Sequence, residues 1–99
     1  MIRHVVSWKL KATDDAGRAA GFATISSTLL ALPDSIPEIK SISVNQNVID
    51  VGVNFDVVLI ADYDSAEDLQ AYQVHPDHVA VAQWIKTVVT DRVCVDYDW

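Results

Sequence analysis

The segment Tyr72 to Val79, YQVHPDHV, holds a phenol, two imidazoles and a helix breaker in close succession. A phenol can donate a hydrogen bond to a carbonyl oxygen, and an imidazole titrates near neutral pH. Tyr72 and His78 are therefore the residue types a proton transfer needs. On an unbroken helix the two would point about 120° apart. Pro76 has no backbone N–H and clashes with the carbonyl four residues earlier, so a break is expected between Val74 and Asp77. Such a kink lets both side chains face one cavity. His75 reads in two ways, as a cap bonding backbone at the break or as a further polar group of the site. The remaining histidine, His4, lies in an alternating segment at the N-terminus.

Other chemistries are weaker. His75-x-x-His78 with His4 or Asp56 could grip a metal ion. Pro76 spoils the simple two-histidine helical face, so no metal is assigned and no cofactor is expected. Cys94 is the only cysteine, which rules out an intrachain disulfide, and it has neither a resolving cysteine nor a basic flank. It reads as a structural thiol. Ser26 and Ser27 lie on a helix without a partner base. Trp8 and Trp84 sit at core parity.

The elements that must position these residues follow from periodicity. Ile2–Leu10 alternates, with Ile2, His4, Val6, Trp8 and Leu10 on one face, as a strand does. Thr13, Asp14 and Asp15 open a helix whose apolar positions Phe22, Ile25, Leu29 and Leu32 recur at helical spacing up to Pro33. A strand is expected from about Ile39 to Val48, then a loop over Asp50–Asn54, then a strand over Phe55–Ala61 buried on both faces. Asp64 and Ser65 cap a second helix, with Ser65 and Asp68 in capping-box register. Pro76 interrupts it, and Arg92–Asp98 alternates as a last strand. The order βαββαβ predicts one α+β domain over residues 1–99, of ferredoxin-like build, with a four-stranded antiparallel sheet and helices on one face.

The sheet's other face carries apolar side chains that need a cover. Hydrophobic residues make up 51% of the 99 residues and charged ones 21%, more apolar than a small monomer easily hides. A homodimer with a second sheet on the first is the economical answer. The net charge of −7 repels phosphate backbones and anionic lipid, which argues against nucleic-acid or membrane partners. No apolar run reaches a membrane span, and MIRHVVSWKLK lacks a signal-peptide core and cleavage site. A cytoplasmic protein is expected.

Three stretches, HVVSWKLK, NFDVVLIADYDSAEDLQAYQVHPDHVAV and RVCVDYDW, resemble the stress-responsive A/B barrel (Dabb, dimeric α/β-barrel) family nearly end to end. The element DLxxYxxHPxHV is the most specific. The resemblance implies a ferredoxin-like subunit whose sheet forms a barrel with that of a second subunit. One family member is a cofactor-free intramolecular aldol cyclase, and its catalytic pair falls on Tyr72 and His78. Its further pocket histidines fall on His4 and on Asp56, where the acid replaces an imidazole. The functional expectation is a small hydrophobic, aromatic or β-keto ligand, with Tyr72 as donor and His78 as general base of a lyase or cyclase. Val6, Trp8, Leu29 and Ile85 would form apolar walls, His4 and His75 would supply further polar contacts, and Asp56 would sit at the rim or floor. The alternative is a non-catalytic, stress-linked structural protein whose histidines only complete the kink and core. A void beside His78 separates the two.

Overall fold

The computed structural model describes all residues, 1–99. Strand β1 runs over Ile2–Leu10 and helix α1 over Asp15–Leu30, followed by a 3-10 turn at Leu32–Asp34. Strands β2 (Ser41–Gln46) and β3 (Val57–Tyr63) come next. The chain then forms α2 (Ala66–Val74), α3 (Pro76–Lys86) and β4 (Val89–Asp98). The sheet order is β2-β3-β1-β4, and every neighbouring pair is antiparallel. Both crossovers therefore join parallel, non-adjacent strands, the split βαβ pattern of a ferredoxin-like fold.

The side chain of Asp14 caps α1, accepting from the amide of Gly17 at 2.7 Å. A Cβ at Gly17 would lie 2.8 Å from the Asp14 carboxylate, so that close approach requires glycine. The Ser65 side chain caps α2 in the same way, accepting from the Asp68 amide.

Pleat alternation divides the sheet. His4, Val6, Trp8 and Leu10 of β1, with Val57, Leu59, Ala61 and Tyr63 of β3, are buried under the helices. Ile25 and Leu29 of α1, Leu69 and Tyr72 of α2, and Ile85 of α3 close the core over them. The opposite face carries Val5, Val58 and Ile60, flanked by Val93, Val95 and Tyr97 of β4, which are 53%, 62% and 43% exposed. No element of the chain covers that apolar centre.

One expectation holds: the break falls between Val74 and Asp77, where α2 ends at Val74 and α3 begins at Pro76. Several expected boundaries move. β2 ends at Gln46 because the chain turns outward there, leaving Val48 in a loop and 87% exposed rather than on the strand face. β3 starts two residues later than expected, and β4 begins at Val89, where it pairs with Leu10 across an irregularity at Lys9/Leu10. Trp99 lies over the Arg3 guanidinium, 4.0 Å from ring centre to Cζ, while Arg3 makes a bidentate ion pair with Asp62.

Candidate functional site

A cavity of about 210 Å³ lies between the sheet and helices α2 and α3. Strand parity delivers His4, Val6 and Trp8 to it from β1, and Leu59 reaches it from β3. His78, Ala82, Ile85 and Lys86 come from one face of α3, at the i, i+4, i+7 and i+8 spacing that aligns side chains on a helix. Leu29, Tyr72, Val89 and Arg92 complete the lining.

The break at Pro76 builds the polar corner. The pre-proline residue His75 takes an extended conformation, φ −62° and ψ 134°, so α2 stops and α3 starts again at Pro76. In a continuous helix the Asp77 amide would bond the Gln73 carbonyl. Here Asp77 N–H donates to Nδ1 of His75 instead, at 3.1 Å. The freed Gln73 carbonyl accepts from Nδ1 of His78, also at 3.1 Å. A carbonyl only accepts, so His78 carries its proton on Nδ1 and keeps a lone pair on Nε2. Burial pushes the His78 imidazole below its ordinary value, the Gln73 bond opposes that in part, and the neighbouring positive groups add to the depression. His78 is thus a neutral imidazole at pH 7, the form that accepts a proton.

The Tyr72 ring stands 4.2 Å from the His78 ring, centre to centre, and is wholly buried. Burial raises the Tyr72 phenol to about 12 and drives Tyr63 higher still. Both therefore remain protonated; the two buried hydroxyls lie near each other, and neither has any other polar neighbour within hydrogen-bond reach. His4 stands edge-on to both tyrosine rings, at 6.2 Å from Tyr72 and 6.4 Å from Tyr63. Its Nδ1 donates to Asp96 Oδ1 at 2.5 Å, which fixes the same tautomer as in His78. The His78 imidazole with its free Nε2, the His4 ring and the buried Tyr72 phenol share a small apolar space. The arrangement suits moving a proton on a carbon next to a carbonyl.

Two residues expected at the site are elsewhere. The Asp56 carboxylate accepts from the Leu10 amide at 2.8 Å, where the β1–β3 ladder ends and Leu10 needs an acceptor. It borders a hollow near Asn47 and Asn54 instead. His75 is the cap of α3, with its ring nitrogen spent on the Asp77 amide. The carboxylate that orients an imidazole is Asp96, and it was not foreseen. Arg92, Cys94 and Asp96 share one parity of the last strand, but only the β1–β4 register places Asp96 opposite His4. Lys86, Arg92 and Tyr63 were likewise missed.

The group able to hold a metal is also different from the one considered. His4 Nδ1, Cys94 Sγ and an Asp96 oxygen lie within 4.8 Å of one another. Nδ1 and the carboxylate already satisfy each other, and burial first among its causes raises the Cys94 thiol away from the thiolate.

The family model of the stress responsive A/B barrel domain (Dabb) matches residues 2–99. The chain belongs to this family. Among its stress-response relatives, the A/B barrel domain-containing protein DABB1 of Arabidopsis thaliana is 32% identical over 98 residues. The match takes in 98% of this chain but 46% of DABB1, so the chain spans about half of that relative's length. A Bacteroides fragilis protein described as dimeric, of unknown function and ferredoxin-like fold, superposes with a TM-score of 0.88 at 27% identity, over 99% of this chain and 95% of its own. The hydroxynitrile lyase of Passiflora edulis shares the A/B barrel subunit's fold, with a TM-score of 0.80 at 17% identity over 97% and 85% of the two chains. No helix of the chain is long and apolar enough to cross a membrane.

Proposed function

We propose that the chain works as a homodimer that binds a small apolar carbonyl compound beside His78 and moves a proton on it without a cofactor. The observation that carries this reading is the void itself. A purely structural role for the histidines predicts side chains filling the space next to His78, whereas about 210 Å³ stays open there. Engineered cavities of about 150 Å³ take up benzene, so one substituted ring or a short β-dicarbonyl chain is of suitable size. Nε2 of His78 takes a proton from the carbon beside the carbonyl, and the phenol of Tyr72 donates to the oxygen as charge grows on it. The imidazolium so formed at His78 then returns the proton from Nε2 to the carbon, while Asp96 holds the His4 ring against the same space.

The dimer reading rests on the uncovered sheet face and on the dimeric Bacteroides fragilis relative. That face lies away from the cavity, so association and ligand binding are separable. Titration of ¹⁵N-labelled protein with phenylacetone tests the site. Shifts centred on His4, Tyr72 and His78, lost in a cavity-filling Ala82→Leu variant, support it, and shifts scattered over the surface contradict it.

A further inference from the structure

The chain carries seven Lys and Arg residues against fourteen acids. Arg3, Arg18 and Lys40 each meet a carboxylate. Lys86 and Arg92 do not, and both line the cavity. Lys9 and Lys11 are likewise unpaired but lie away from the cavity, so Lys86 and Arg92 are the two free cations at its opening. None of the twelve residues lining the cavity is acidic. The nearest carboxylate of the constellation, Asp96, is engaged by His4.

The two cations also come from converging elements. Lys86 is the last residue of α3, one turn beyond Ala82, and Arg92 stands on β4 opposite Trp8, itself a wall of the cavity. Both side chains are exposed, so they stand at the mouth of the cavity rather than in its interior.

Resting on the reading of this cavity as a binding site, we infer that its ligand is a small apolar carboxylate, whose ring or chain fills the space between Trp8, Leu29 and Ile85. Its carboxylate is held by the Arg92 guanidinium and the Lys86 ammonium. An Arg fork takes a carboxylate through two parallel hydrogen bonds, and Lys adds a flexible point charge. The two exposed cations offset the repulsion an anion meets from the chain's net charge, an attraction that salt screens. For a keto acid or aryl acid this fixes which end enters first. The apolar part goes inward, and any carbon beside a carbonyl lies toward His78.

Phenylacetate and phenylacetamide have the same shape and differ in charge, so they test the inference on the intact protein. By calorimetry or NMR titration at low ionic strength, phenylacetate is expected to bind about tenfold tighter or more, with the ratio shrinking as salt is added. In the double variant Arg92→Gln/Lys86→Gln, with a folded amide spectrum, the ratio falls to near one. Equal binding of the two compounds to the unmodified protein overturns the carboxylate inference while leaving the cavity reading intact. A preference that persists in the double variant overturns the assignment to these two cations. Failure of both compounds to bind overturns the cavity reading and this inference together.

Discussion

Asp96 accepts a 2.5 Å hydrogen bond from Nδ1 of His4, across a β1–β4 pairing in which the two residues stand opposite each other. His4 is almost wholly buried, at 2% exposure, while Asp96 keeps one side in water. The strand ladder therefore orients an imidazole that the core alone would leave free to choose either tautomer.

Asp96→Ala removes the acceptor of a buried N–H and is expected to cost about 1–3 kcal/mol of stability. Asp96→Asn, which still offers an oxygen, should cost less. Ring ¹⁵N shifts of His4 report the tautomer directly. Unchanged melting and unchanged ring shifts in Asp96→Ala would mean that the bond orients nothing.

The break at Pro76 assigns separate duties to the two histidines beside it. His75→Ala is expected to lower stability by about 1 kcal/mol through loss of the α3 cap. Phenylacetone binding should be retained, because the His75 ring is not at the cavity. Lost binding in a variant that remains folded would return His75 to the site.

How much of this was legible follows from the range of each interaction. The break, the caps at Asp14 and Ser65 and the face shared by His4, Val6 and Trp8 are local, set by residues a few positions apart. Asp56 was misplaced because a carboxylate in a strand looks alike whether it orients a histidine or satisfies a stray backbone amide. Asp96 and Arg92 stayed hidden because strand register decides them, and alternation within a single strand does not fix register. Tyr63 shows the same limit. It lies beyond the strand expected over Phe55–Ala61, and its approach to Tyr72, at 5.2 Å between rings, depends on how α2 docks.

His78 gives a pH signature. Its folded-state affinity for protons lies below the ordinary value near 6.5, so the unfolded chain binds the proton more readily. Its contribution to stability is complete above about pH 6.5 and declines as the pH falls toward the depressed folded value. Chemical denaturation between pH 7.5 and 5 should show the decline, and His78→Gln should flatten it. Titration of the His78 ring by NMR at or above 6.5 would contradict the sign.

The tyrosine hydroxyls predict an unusual stability effect. Tyr63→Phe deletes a buried hydroxyl whose one polar neighbour is the Tyr72 hydroxyl, in poor hydrogen-bond geometry, so stability should change by no more than about 1 kcal/mol. A loss of more than that amount on denaturant unfolding would reveal a bond that the hydroxyl makes.

The uncovered sheet face predicts the assembly. Light scattering at micromolar concentration should report twice the mass of one chain, and Val95→Asp, on the β4 edge strand of that face beside Val5, should give single chains at the same concentration. A monomer before substitution would leave Val93, Val95 and Tyr97 facing water.

The central claim is that His78 acts as a base on a carbon acid, and deuterium exchange measures that step alone. Phenylacetone in D₂O near neutral pH exchanges the hydrogens beside its carbonyl slowly, and NMR follows each position. The protein is expected to speed this exchange over buffer, with His78→Ala losing about 10²-fold or more of the acceleration and Tyr72→Phe losing less. Equal exchange rates with the unmodified protein and with folded His78→Ala would contradict the account.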